Sequence, residues 1–284
     1  RNRYFKYLDD NGRSDKVISE IKESTLRIVS NFGDPASSKS FYTKAMVVGS
    51  VQSGKTGNFN GVINTAIDIG YELIIVFSGI TEDLREQTQV RIEKDVIGTK
   101  GAGARGIGVG EKYGFKDSIN SITSKESDFS RNVLLTNPSL YTNTNIIICK
   151  KNVGVLKNIL IWLNQYIDKN NPQTHLRNEQ IDKPLLIIDD EADNASLNNL
   201  GHKGKDYATQ TNLMIRSVLK LFSRKVYLGY TATPFANILQ DRNETPNTKY
   251  SFKYNGALLE FEQEDNLFPD DFIELLEPPS NYSG

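Results

Sequence analysis

Gly49-Ser50-Val51-Gln52-Ser53-Gly54-Lys55-Thr56 stands between the apolar run Ala45-Met46-Val47-Val48 and the helical spacing Phe59, Val62, Ile63, Ala66, Ile67. The order is strand, glycine loop, helix. In that context backbone N–H groups wrap the phosphates of a nucleotide, Lys55 sets an ammonium on the β/γ oxygens, and Thr56 offers a hydroxyl to Mg²⁺. The helix opening at Lys55 turns the positive end of its dipole toward the same anion. Gly49, Gln52, Ser53, Gly54, Lys55 and Thr56 are therefore the candidate binding residues, with ATP and Mg²⁺ as the expected cofactors. A turn that merely needs glycines would leave the strand and the helix on either side unexplained.

Working outward, Leu73-Ile74-Ile75-Val76-Phe77 is too short for a helix and unbroken in hydrophobicity, which predicts a strand covered on both faces and hence a parallel sheet. Thr81 reads as the N-cap of a following helix, with Glu82 and Asp83 in its first turn. Upstream, Val17, Ile18, Ile21, Ile28 and Val29 make a one-faced helix over residues 14–30 that Gly33 and Pro35 end. Phe41 and Tyr42 just before the first strand could stack on a base, but packing is the commoner fate of such a pair. Gly98 to Gly110 holds six glycines, and the polar region running on to Asn132 reads as a flexible insertion. Within it, Gly101-Ala102-Gly103-Ala104-Arg105-Gly106 matches a dinucleotide fingerprint without the strand and helix that give the pattern meaning. Val133-Leu134-Leu135 and Asn145-Ile146-Ile147-Ile148-Cys149 are expected strands, and Leu156, Ile159, Leu160, Leu163 and Ile167 a helical stripe. Lys150, Lys151 and Asn152, at the junction of strand and helix, could face a passing phosphate chain, but facing water is the expectation.

Pro184-Leu185-Leu186-Ile187-Ile188 runs straight into Asp189-Asp190-Glu191-Ala192-Asp193. Four acids at the end of a buried strand repel one another and cost desolvation, a conflict that a metal bound to a nucleotide resolves. Asp190 is placed to hold Mg²⁺, and Glu191 to orient and deprotonate an attacking water. A last strand, Lys225 to Tyr230, leads to Thr231-Ala232-Thr233-Pro234, whose hydroxyls can bridge the acidic loop to something bound above the sheet. Beyond Asp241 regularity fades; residues 260–277 carry eight acids and no Lys or Arg, which reads as a covering strap or a linker whose acids form a solvated face.

The composition of the 284 residues, 38% hydrophobic and 24% charged, is that of an ordinary globular chain with a sizeable core. A formal net charge of -1 provides no global basic field, so nucleic acid must be met by a local patch. One cysteine, Cys149, excludes an internal disulfide, and His175 and His202 lack zinc-site spacing. No stretch approaches the roughly 18 apolar residues of a membrane helix, so no membrane partner and a cytoplasmic location are expected. The start at Arg1, without a charged and apolar leader, predicts a fragment with no secretory signal.

Gly-x4-Gly-Lys-Thr, Asp-Glu-Ala-Asp and Thr-Ala-Thr-Pro in this order resemble the first RecA-like domain of superfamily 2 helicases. More narrowly, Gly49 to Phe59, Ser78 to Thr88, Asp189 to Asp193 and Leu267 to Tyr282 resemble the Z-one (Z1) domain ATPases, described as endonucleases and associated with bacterial restriction and anti-phage systems. The resemblance implies an α/β fold: a RecA-like P-loop NTPase three-layer sandwich with a mainly parallel sheet. It implies an N-terminal helical extension (residues 1–40), the ATPase domain (41–240), and a tail (241–284) leading toward a second RecA-like domain.

By the same resemblance Lys55 and Thr56 bind phosphates and Mg²⁺, Asp190 and Glu191 carry hydrolysis, and Thr231 and Thr233 couple nucleotide state to nucleic acid. Ser78, Arg85 and Gln87 would touch a strand's backbone. Asp189 adds an acid ahead of the expected pair and unsettles the register. The partners implied are DNA or RNA, the second RecA-like domain whose arginines complete the ATP site, and nuclease or other defence subunits. An arginine finger is worth about 10³ to 10⁵ in rate, so this segment alone is expected to hydrolyse ATP weakly. Two other readings compete: a nucleotide-dependent switch that gates a partner without translocating, and a subunit associated with an endonuclease whose catalytic residues lie outside the chain.

Overall fold

The computed structural model of the chain describes residues 3–49, 55–100, 104–105, 119–193, 202–234 and 249–276. Seven strands form one sheet: β1 (Phe41–Val48), β2 (Leu73–Ser78), β3 (Ile119–Ser121), β4 (Thr144–Cys149), β5 (Leu185–Asp190), β6 (Arg224–Thr231) and β7 (Phe272–Leu275). Their order is β7-β1-β6-β5-β2-β4-β3, and every neighbouring pair is parallel. All seven C-terminal ends therefore share one rim.

Helices cover both faces, which is why the central strands are unbroken runs of Ile, Leu and Val. On one face Phe59, Val62, Ile63, Ala66 and Ile67 of the helix after the glycine loop pack on Val47, Ile74, Val76, Ile148, Ile188 and Leu228. On the other, Leu156, Ile159, Leu160 and Leu163 join Met214, Ile215, Val218 and Leu219 over Ile75, Phe77, Ile147 and Ile187. Each such side chain, fully buried, contributes about 1.5–3 kcal/mol. The helices are α1 (Arg3–Asp10), α2 (Asp15–Ser30), α3 (Lys55–Ile69), α4 (Glu82–Ile92), α5 (Arg131–Thr136), α6 (Val153–Asn164) and α7 (His202–Lys220), with a π-helical turn, Glu93–Ile97, prolonging α4. Among the described residues no helix is long and apolar enough to cross a membrane.

The N-terminal helices are fixed to α3 by polar contacts. Arg3 Nε lies 2.7 Å from Asp68 Oδ1, the Tyr4 hydroxyl donates to Gly57 O at 3.2 Å, and Asn58 Nδ2 donates to Ser24 Oγ at 2.8 Å. Ser14 caps α2 by accepting from Val17 N at 3.5 Å.

Two expectations are corrected. Val133-Leu134-Leu135 is not a strand but the middle of α5, closed by Asn137 in the left-handed region at φ 43; three apolar residues in a row cannot distinguish the two states. The edge strand is instead Ile119–Ser121, inside the stretch read as a flexible insertion; an edge strand needs no continuous apolar run. Phe41 and Tyr42 are the first residues of β1, so they sit at the rim opposite Gly49 and cannot face a base bound there. Phe41 packs in the α3-side core, and Tyr42 lies under the Lys44 and Lys225 ammoniums at 5.6 and 5.2 Å.

The tail packs on the domain. A hairpin, Tyr250–Tyr254 and Ala257–Phe261, turns at Asn255-Gly256, both at positive φ, as a tight two-residue turn requires. Phe261, Leu267 and Phe268 are buried, and β7 then adds to the sheet beside β1. Glu260, Glu262, Asp265, Asp270 and Asp271 are exposed, as on a solvated face, yet three acids of the run are paired. Asp270 pairs with Lys44 at 2.5 Å, Glu274 with Arg27 at 2.8 Å, and Glu264 with Lys225.

Candidate functional site

Gly49 leaves β1 with its N–H on Thr231 O at 3.0 Å, so the start of the glycine loop is fixed to the end of β6. Ser50, Val51, Gln52, Ser53 and Gly54 lie outside the described residues. The chain resumes at Lys55, the first residue of α3, whose Nζ donates to Gly49 O at 3.1 Å. Thr56 is half-buried on the next position, and Arg91 Nη1 approaches its Oγ1 at 3.5 Å.

The acids occupy the end of β5, separated from β1 by β6 alone, which spaces the two strand axes by roughly 10 Å. Strand alternation divides them between the faces. Asp189 turns toward α6 and α7 and is fully buried; its Oδ1 lies 2.8 Å from Lys151 Nζ, equally buried, and its Oδ2 accepts from the Tyr227 hydroxyl at 2.8 Å. Burial raises the Asp189 carboxyl above its ordinary range, against the pull of Lys151 and Tyr227. Asp190 turns to the face of α3. Burial, and next the neighbouring Glu191 charge, push its carboxyl up, while Lys151 and Lys55 draw it down. The side chain that follows the glycine loop and the side chain that ends β5 thus share one electrostatic environment.

Glu191 adopts φ 59, a left-handed backbone that a non-glycine residue takes at a cost. Its carbonyl accepts from Lys151 Nζ at 2.5 Å. The Glu191 carboxylate lies against Gly79: a Cβ there would stand 3.2 Å from Glu191 Oε2, and Gly79 itself has φ +83. Ala192 N then donates to Tyr230 O at 2.9 Å, and Gly229 makes room for the turn, since a Cβ on it would stand 2.9 Å from Ala192 Cβ. Asp193 accepts from the Thr233 hydroxyl, and Thr233 N donates to Thr231 Oγ1 at 2.9 Å. The acidic loop and the Thr-Ala-Thr turn are joined by side chains.

Of the residues expected to touch a strand, Ser78 is buried with Oγ on Cys149 O at 3.4 Å, and Gln87 is exposed. Gln87 lines a cavity of about 470 Å³ together with Asp83, Val90, Arg91 and Lys125. Arg85 is corrected. It is fully buried, with Nε on Glu82 Oε1 at 2.5 Å, Nη1 on Ser124 O at 2.8 Å and Nη2 on Lys125 O at 2.5 Å, so its guanidinium braces α4 against the chain that follows β3.

Lys151 is the residue that sequence reasoning missed. The expected solvated trio divides into three roles: Lys150 pairs with Glu82, Asn152 Oδ1 caps α6 from Gly154 N at 2.8 Å, and Lys151 is buried among the acids. The signal was the acidic run itself, because an acid buried on the far face of β5 requires a cation. Among the described residues no group of three or more His, Cys, Asp or Glu could hold a metal.

No protein-family model matches the chain, and no curated protein matches it. Among solved structures it is similar to the Sulfolobus solfataricus SWI2/SNF2 ATPase core in complex with dsDNA, at 11% identity and a TM-score of 0.33, over 78% of this chain. The chain spans 32% of that structure. Its own fold is an α/β domain whose seven-stranded parallel sheet is flanked by helices.

Proposed function

We propose that the chain is the ATP-binding and ATP-hydrolysing domain of a helicase-like protein that acts on DNA, in bacterial restriction or anti-phage defence. One observation carries this reading: Lys55 heads α3 at the same rim of the sheet where β5 ends in Asp190. The donor set suits Mg²⁺. A desolvated Asp190 crowded by Glu191 favours a cation, and the Thr56 hydroxyl is a second hard oxygen. Magnesium of this kind is held by one or two protein oxygens together with substrate phosphates. When bound, the ion would neutralise charge on the phosphate oxygens.

The protein's own part is then positioning. Lys55 would bind the β/γ oxygens, Thr56 and Asp190 would hold the ion, and Glu191 would orient the attacking water and take its proton. Thr231 and Thr233, joined to Asp193 and to Gly49, carry the state of the site to whatever lies above the sheet. A second RecA-like domain would supply the arginines that complete the reaction. The burial of Arg85 favours the alternative of a nucleotide-dependent switch over a strand-gripping motor, since the cation offered to a phosphate chain is already engaged. Hydrolysis of ATP by the full-length protein, with and without single- and double-stranded DNA and RNA, tests both. Stimulation by a strand supports the motor; ATP turnover indifferent to every strand supports the switch.

A further inference from the structure

We infer that Lys151 is a positioning residue for hydrolysis, holding the left-handed turn that aims Glu191; this rests on the ATPase reading above. Lys151 connects three adjacent strand ends. Its backbone N–H donates to Gly79 O at 2.9 Å beyond β2, its Nζ lies 2.8 Å from Asp189 Oδ1 within β5, and the same Nζ donates to Glu191 O at 2.5 Å. It stands at the first turn after β4, and its side chain is wholly buried.

Two consequences follow from an ammonium with three donors at that place. The carbonyl of Glu191 is fixed although its backbone is at φ 59, so the carboxylate stays over Gly79 rather than swinging with a relaxed loop. The Asp189 charge is matched from behind, which leaves Asp190 and Glu191 as the pair facing the site. Lys151 acts through Glu191.

The test compares three forms of the full-length protein: the parent, Asp189→Asn, and the doubly neutral Lys151→Met/Asp189→Asn, which leaves neither member of the buried pair charged. Two readouts are taken, ATP affinity against kcat, and hydrogen exchange of the amides of 190–193. The double variant is expected to bind ATP within about 3-fold of the parent, to lose about 100-fold in kcat, and to exchange the Ala192 amide at least 10-fold faster. Asp189→Asn, which keeps the bond to Glu191 O, is expected to stay within about 5-fold of the parent in kcat. A double variant with parental kcat and parental exchange at 190–193 overturns the inference, as does a loss of affinity equal to the loss of kcat. If the double variant does not fold, Asp189→Asn decides: a 100-fold loss there overturns the assignment to the carbonyl bond, and retained kcat upholds it. A parent that turns over no ATP sinks the ATPase reading alone, because exchange at 190–193 still reports whether Lys151 holds the turn.

Discussion

Tyr230, the penultimate residue of β6, donates its hydroxyl hydrogen to Asn58 Oδ1 at 2.7 Å, inside the protein and one turn into α3. Asn58 Nδ2 passes the connection on to Ser24 Oγ of α2. The strand that ends in Thr231 and the helix that begins at Lys55 are thus rigidly coupled, and the N-terminal helices are coupled to both.

Tyr230→Phe removes the donor and leaves a buried amide oxygen unsatisfied. Stability is expected to fall by about 1–3 kcal/mol, read as a lower denaturant midpoint at unchanged slope. A fall below about 0.5 kcal/mol would mean that the bond is replaced by water.

Lys55→Ala is expected to weaken ATP binding at least 10-fold, about 1.4 kcal/mol, in titration calorimetry. Glu191→Gln is expected to leave affinity unchanged and reduce turnover by about 10²- to 10⁴-fold in the full-length protein. Equal losses of affinity in the two variants would contradict the separate roles given to them.

Arg85→Met takes donors from two backbone carbonyls and from Glu82, all at a fully buried guanidinium. The expected cost is about 3–5 kcal/mol, seen as a lowered Tm, whereas Gln87→Ala on the exposed face stays within about 0.5 kcal/mol. Unchanged Tm in Arg85→Met with lost DNA affinity would restore the strand-contact role.

Gly229→Ala would bring a methyl to 2.9 Å from Ala192 Cβ and push the turn that carries Glu191. Stability should fall by about 1–3 kcal/mol together with turnover, and Ala192→Gly in the same chain should recover both. Failure of the second substitution to rescue would show that the crowding lies elsewhere.

Burial raises the Glu264 carboxyl, but the Lys225 ammonium and then Lys220 outweigh it and hold the group below its ordinary value. A carboxyl depressed in the folded state adds stability above its unfolded pKa, and that stability disappears as pH falls through the folded pKa. Acid titration of stability should therefore decline from about pH 5 downward, and Glu264→Gln should flatten that limb while lowering stability at pH 7 by about 1 kcal/mol. An unchanged limb would mean that the tail is not held by this pair.

The elements whose periodicity is long or whose chemistry is local were legible in the sequence. Phe59 to Ile67 reads as a helix because a covered helix repeats every three to four residues, and Thr81 reads as a cap because its hydroxyl faces the next turn. What stayed hidden depends on partners distant along the chain. Ile119–Ser121 becomes a strand only because β4 lies beside it, and the acidic tail finds Lys44, Lys225 and Arg27 only once the sheet exists. Lys151 and Arg85 were misread for the same reason: a cation in a polar stretch looks solvated until its carboxylate or carbonyls arrive from elsewhere. Within the site, Asp190 and Glu191 follow from the strand pattern, while the role of Asp189 needed the burial of Lys151.

The place of β1 in the sheet has a consequence for biosynthesis. Phe41 pairs with Arg224 and Ala45 with Phe272, so both neighbours of β1 are synthesised long after it. At roughly 5–20 residues per second the nascent chain waits many seconds with that strand unpaired and apolar, open to chaperones or to aggregation. Nucleotide can stabilise only the finished protein, and truncation before β7 should yield chains that are cleared rather than chains that function poorly.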